Sequence, residues 1–320
     1  MQSNTHPPLP AWLIQHLKNR PAQGSGLHQW ICRTACLISE HVTQDEAALI
    51  HILTEACQGA ARDTSREIRD AVHFALHRDP ITPHAPKWPP RYDAQIAAIL
   101  SSGYTEAQLM KDSPQRFEGN AKDMLELLFP GDPLLCIGFH TNEFDTLRRS
   151  AWTKLMRTRS RPQFIVPSPM SARTGTTTSG KPSAKTNANT GPRQYLVVEF
   201  DFKPTDNPAD ARLLQHGKKH GLHTTRDMCA ALAHHLAQRA PLALVIWSGG
   251  KSLHCWFPVL GVPEETLIDF FREACRIGAD RATWTPSQFV RFPCGFNTKH
   301  HQQQPVIFFN PATLKPTPKL

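Results

Sequence analysis

Apolar positions recur at three- and four-residue spacing through the first third of the chain. Leu27, Trp30, Ile31, Ala35 and Ile38 form one stripe, the period of a helix with one buried face. Thr43-Gln44-Asp45-Glu46 has the form of a capping box and opens a helix through Leu53 toward Gly59. Thr64-Ser65-Arg66-Glu67 opens another, with Ile68, Val72, Ala75 and Leu76 on its apolar face and Asp79-Pro80 stopping it. A proline-rich connection, 80–90, leads to two shorter helical stretches, 93–101 and 105–112. Residues 1–112 therefore read as a helical accessory domain, a scaffold or docking module without a chemical signature.

From about Pro133 the pattern changes to short β-type runs: 134–137, 164–166, 195–202, 242–247, 253–257, 289–292 and 306–309. Helices alternate with them, over 227–239 and 263–277. Residues 171–194, rich in Ser, Thr, Gly, Asn and Lys, read as a flexible basic loop between two strands. The expected class is α+β: an N-terminal helical bundle, then a domain over 113–320 with a mixed or antiparallel sheet and flanking helices.

Charge sharpens this picture. The net charge is +9, and ten of the 36 basic residues fall between Thr146 and Gln194 with no Asp or Glu among them. Such a field attracts polyanions, chiefly nucleic acid, by counterion release; a solvated basic linker is the plainer reading of the same stretch. The length, 320 residues, suits one or two domains. No run reaches the roughly 18 apolar residues of a membrane helix. The opening Met1–His6 lacks a secretory pattern, so the eight cysteines, with no Cys-x-x-Cys, are expected to be reduced thiols of a cytoplasmic protein. His28, Cys32 and Cys36 share a helical face but lack a fourth ligand, and buried thiols are the stronger expectation.

Three segments carry candidate chemistry. Glu199 and Asp201 flank Phe200 at the end of an apolar run, and on a strand residues two apart share a face. Two converging carboxylates suit a hard divalent cation; an exposed strand end with unrelated acids reads the same way. Next, Val245–Phe257 breaks at Ser248-Gly249-Gly250-Lys251-Ser252, where glycines and a lysine suit a phosphate. It is not a P-loop: position 245 is Val rather than Gly, and a strand follows. His254 within that strand is, taken alone, most simply a satisfied core histidine. Finally, Asp280 follows a helix, and Arg291 and Lys299 lie either side of the turn at Pro293-Cys294-Gly295.

In this order the three segments resemble the catalytic core of the archaeo-eukaryotic primase (primase-polymerase) superfamily, most closely in its phage and mobile-element form. The resemblance spans about 133–310 and rests on Val198-Glu199-Phe200-Asp201, on Ser252-Leu253-His254, and on Ala279-Asp280. The sequence departs from the family pattern in reading Glu-x-Asp at the first motif and in setting Cys294 between Pro293 and Gly295. The resemblance implies a DNA primase or DNA polymerase, a nucleotidyltransferase of DNA replication. Glu199, Asp201 and Asp280 would be catalytic and would bind the metal, Mg²⁺ or Mn²⁺. Lys251, Ser252, His254, Arg291 and Lys299 would bind the nucleotide.

Arg148, Arg149, Lys154, Arg157, Arg159 and Arg161 would hold a single-stranded DNA template, with Trp152 and Phe164 as stacking partners; packing in a helical core is an equal reading for Trp152. Nucleoside triphosphates are the expected substrates. No complete phosphate-binding loop occurs, so unwinding would fall to a separate helicase. Two other readings stay open. One is a non-catalytic nucleic-acid-binding replication protein on the same fold. The other is a metal-dependent nuclease, because Asp201-Phe202-Lys203 imitates the end of a restriction-type site that would need a further acid upstream.

Overall fold

The computed structural model describes residues 9, 11–21, 27–60, 63–77, 86–158 and 161–314. The Asp79-Pro80 stop, most of the 80–90 connection and Arg159 lie outside the described residues. The chain divides into two compact units, 1–85 with 178–181, and 86–177 with 182–320.

The first unit is helical: α1 (Ala11–Lys18), α2 (Leu27–His41), α3 (Glu46–Ala56) and α4 (Ser65–His77). The α2 stripe lies in its core with Leu13, Leu49, Leu53 and Val72. The start of α3 corrects the sequence reading. Asp45, not Thr43, is the N-cap: its carboxylate accepts from the Ala48 N–H at 2.7 Å, while Thr43 Oγ1 accepts from the Asp45 N–H. An anionic cap gains from the helix dipole as well as from the hydrogen bond. None of the eight cysteines forms a disulfide. His28 Nδ1 lies 3.9 Å from Glu67 and its Nε2 3.9 Å from Cys32 Sγ, without a gathered set of ligands.

The second unit takes in α5 (Asp93–Leu100) and α6 (Glu106–Lys111), which the sequence reading assigned to the helical module. Their apolar positions Ile96, Leu100 and Leu109 share a core with the sheet residues Val198 and Phe200, so burial joins them to the strands. There follow α7 (Ala121–Leu128), β1 (Leu134–His140), β2 (Glu143–Arg148), α8 (Arg149–Leu155), β3 (Phe164–Ile165), β4 (Gly175–Thr176), β5 (Pro182–Ser183) and β6 (Tyr195–Phe200). The rest comprises α9 (Pro208–Lys218), α10 (Thr225–Ala237), β7 (Leu244–Trp247), β8 (Leu253–Pro258), α11 (Glu264–Arg276), β9 (Val290–Arg291), β10 (Phe296–Asn297), β11 (Gln302–Gln303) and β12 (Val306–Phe309). Helix α9 had no clear apolar signal; Asn207 caps it and Pro208 pre-sets its first turn.

Two four-stranded antiparallel sheets result, in the orders β2-β1-β3-β9 and β12-β7-β8-β6. Alternation along β6 decides the layers. Leu196, Val198 and Phe200 face a helical layer with Leu232 of α10 and Phe271 of α11. Tyr195 and Val197 face the other sheet, meeting Trp256, Ile137 and Ile165. Both faces of the second sheet are thus covered, which is why its strands read as continuous apolar runs.

The 171–194 segment is folded rather than a flexible loop. Asn189 is 1% exposed; its Nδ2 donates to Ala172 O and Ala184 O at 3.1 and 3.0 Å, and its Oδ1 accepts from the Thr186 N–H at 2.8 Å. The polar composition that reads as mobility supplies these internal hydrogen bonds instead.

Candidate active site

The row Tyr195–Val197–Glu199 runs along the inter-sheet face of β6 and leaves the apolar core at its end. There the alternation that buried Val197 places Glu199 on the same face, with its side chain 24% exposed. Asp201 is the first residue beyond the strand, 28% exposed. Antiparallel pairing sets Glu199 opposite His254 on β8. On the other edge of β6, Phe200 bridges Ala279 and the Asp280 N–H donates to Glu199 O at 2.9 Å. Directly opposed residues in such a ladder share a face. The register therefore lines up His254, Glu199 and Asp280 across three neighbouring segments, with Asp201 two residues along.

His254 is 2% exposed, and neither ring nitrogen has a hydrogen-bond partner; Nε2 stands 3.5 Å from Glu199 Oε1. It is not a satisfied core histidine. A buried polar group without a hydrogen-bond partner is costly. Burial pushes the Glu199 carboxyl up, but His254, Ser252 and Arg291 outweigh that and leave it at about 2. Glu199 is an anion at neutral pH.

Arg291 comes from β9, the edge strand of the other sheet, so the site joins both sheets. Its Nη1 donates to Gln163 Oε1 at 3.0 Å, and its guanidinium lies over the Phe164 ring at 5.0 Å. Burial lowers its pKa and Glu199 opposes that shift. The Phe164 face expected to stack a base is thus occupied by Arg291. Gln163 gave no sequence signal as a positioning residue, because its role depends on pairing across β3 and β9.

Asp201 Oδ2 is held by Lys203 Nζ at 3.1 Å, and Asp280 Oδ1 accepts from the Ala282 N–H at 3.0 Å. The second oxygen of each carboxylate has no protein partner among the described residues. Glu199, Asp201 and Asp280 thus lie on neighbouring segments at one end of β6, and carboxylate oxygens are hard donors of the kind Mg²⁺ or Mn²⁺ takes. Among the described residues no three His, Cys, Asp or Glu side chains are drawn into a ready-made metal set. The buried Asp210, 3% exposed, braces the exit of β6: its Oδ2 accepts from the Lys203 N–H at 2.7 Å and its Oδ1 from Arg91 at 2.6 Å. Sequence reasoning missed both Arg91 and Asp210, which lie 119 positions apart.

The Ser248–Ser252 turn joins β7 to β8. Ser252 is buried and shares the His254 face, whereas Lys251 is exposed. Asn297 Nδ2 donates to Ser248 O at 2.8 Å, tying this turn to the β10–β11 hairpin that carries the exposed Lys299. Gly249 has φ +72°, and a Cβ there would lie 3.0 Å from both Asn297 Cβ and Gln303 O. That close approach is what the glycine permits.

The basic stretch divides by role. Arg148 donates to Asp132 O at 2.9 Å, and Arg149 to Phe129 O at 3.3 Å near the end of α7. Lys154, Arg157 and Arg161 are exposed. Half-buried Arg193 lies over Trp284 at 4.6 Å, and half-buried Lys185 over Phe289 at 4.5 Å. Trp152 is not available for stacking on a template: it is 2% exposed and its Nε1 donates to Leu135 O at 2.8 Å. No helix among the described residues is long and apolar enough to cross a membrane. Comparison with protein-family models, with curated proteins and with solved structures gives no significant match.

Proposed function

We propose that the chain is a template-dependent nucleotidyltransferase of the primase-polymerase type, which makes or extends primers from nucleoside triphosphates. One observation carries this reading: the row His254–Glu199–Asp280 at the end of β6, with Asp201 beside it and Arg291 of the other sheet acting on Glu199. Phosphoryl transfer requires positioning and charge neutralisation more than covalent chemistry from the protein. Glu199, Asp201 and Asp280 would hold Mg²⁺ or Mn²⁺, which when bound neutralises a triphosphate and makes a 3′-hydroxyl a better nucleophile.

His254 Nδ1 has no hydrogen-bond partner and Nε2 only the 3.5 Å ion-pair contact with Glu199, so the ring can donate to a phosphate oxygen without breaking a hydrogen bond. Arg291, oriented by Gln163, offers a planar cation to the same phosphates. Lys251 and Lys299, on two turns joined through Asn297, supply exposed charge for the triphosphate tail. The exposed Lys154 serves the template strand. Helicase activity belongs to a partner.

The test is incorporation of labelled nucleotide on single-stranded DNA with Mg²⁺ or Mn²⁺, by the wild type and by Asp201→Ala. Transfer by the wild type and its loss in the variant support the reading; full activity in the variant overturns it. The 3.1 Å contact between Lys203 and Asp201 favours one second reading, a metal-dependent nuclease, for which DNA cleavage without added nucleotide is the distinguishing result.

A further inference from the structure

The second unit contains a cavity of about 550 Å³, inside the range of roughly 300–1,000 Å³ typical of small-molecule sites. It is bounded by the approach to α7, by α8 with the chain after it, and by the strands around β11 and β12. Its walls have two characters. Lys122, Arg157 and Arg161 contribute three cations, and no Asp or Glu lines it. Phe117, Met156 and Val306 contribute apolar surface.

The cations are poorly neutralised. Arg157 has no ion-pair partner among the described residues, and Arg161 donates to the neutral amide of Gln303. Lys122 is only 3.9 Å from a half-exposed Glu126. Cys294 also lines the cavity; burial pushes its thiol up to about 11, so it adds no negative charge at neutral pH.

Two arginine forks match the oxygens of a phosphate better than a single carboxylate does. An aromatic ring and a thioether beside them suit a flat, partly apolar body. Register fixes the distance to the acidic centre. Val306 pairs with Ile246, Ile246 with His254, and His254 with Glu199. Val306 and Glu199 thus stand in one row, three strand spacings or about 14 Å apart. A ligand at Val306 does not share the acidic centre.

From this we infer that the cavity is a second binding site, selective for a nucleoside 5′-phosphate and separate from the Glu199 centre. The phosphate lies against Arg157 and Arg161, and the base against Phe117 and Met156. The same chemistry has two sources, a free nucleotide or the 5′-phosphorylated end of a nucleic-acid strand.

Calorimetric titration of the full chain in EDTA distinguishes them. The probes are ATP, a 5′-phosphorylated oligothymidylate and the same oligomer with a 5′-hydroxyl. Saturable ATP binding assigns the free nucleotide. A preference of tenfold or more for the 5′-phosphorylated over the 5′-hydroxyl oligomer, without ATP binding, assigns the strand end. Either signal should fall at least tenfold in Arg157→Glu, an exposed change without folding cost, and in Thr153→Trp, which fills the cavity from α8. Binding that persists in both variants overturns the inference, as does the absence of both ATP binding and 5′-phosphate preference. The readout is independent of catalysis, so a chain that incorporates no nucleotide could still pass it.

Discussion

Replacing Glu199 by Gln removes one charge while keeping the side chain's size and its capacity to hydrogen-bond. The carboxyl lies at about 2 against an ordinary 4.5. At about 1.36 kcal/mol per pH unit, that difference corresponds to an upper limit of about 3 kcal/mol of native-state stability. Because the folded value is depressed, the contribution is complete above pH 4.5 and is lost as pH falls from there toward 2. Glu199→Gln lacks it at every pH. Urea unfolding of the full chain, run from pH 7 to pH 3, should find the variant less stable by up to about 3 kcal/mol at neutral pH. The gap should narrow steadily below 4.5. Taking the difference between wild type and variant removes the shared contribution of the helical unit. A gap that stays constant with pH would refute the assignment of an ionised Glu199 held by His254, Ser252 and Arg291. A variant more stable than wild type at pH 7 would show instead that the burial penalty dominates.

Two further substitutions test how the surroundings are built. Asn189→Ala leaves the Ala172 carbonyl and the Thr186 N–H without their partner and takes one of two donors from Ala184 O, which keeps Thr146 Oγ1 at 2.8 Å, at a cost of about 2–4 kcal/mol; the melting temperature should fall and amide exchange should accelerate across 171–191. Gly249→Ala combines a left-handed φ of +72° with a Cβ 3.0 Å from Gln303 O. It should cost about 2 kcal/mol by urea midpoint, whereas Gly250→Ala, whose Cβ meets the His300 ring at 3.2 Å and Ser248 Oγ at 3.6 Å, should cost less.

The amino-acid order by itself determined most of the elements, because their signals are local. The α2 stripe, the Thr105–Gln108 capping box of α6 and the apolar run of β6 each rest on contacts within a few residues. It also put Glu199 on the strand face that carries Tyr195 and Val197, since a two-residue period needs no partner to define it; Asp201, expected on the same face, lies one residue past the end of the strand. The α+β class and the antiparallel option followed from the same patterns. Where a local signal was misread, another local interaction had prevailed, as at Asp45 against Thr43, or the element was too short and polar to show, as in α9.

Tertiary structure alone decided which acids and cations meet. His254 and Glu199 are 55 positions apart and Asp280 a further 26 beyond His254, and only strand register sets them in one row. The arginines that looked alike in sequence took different roles for the same reason: Arg193 met a tryptophan ring, Arg149 met open carbonyls, and Arg291 met Gln163 and Glu199. Charge and residue type are properties of the chain. Burial, pairing and the direction a side chain faces depend on neighbours that folding brings from elsewhere, so no reading along the sequence contains them.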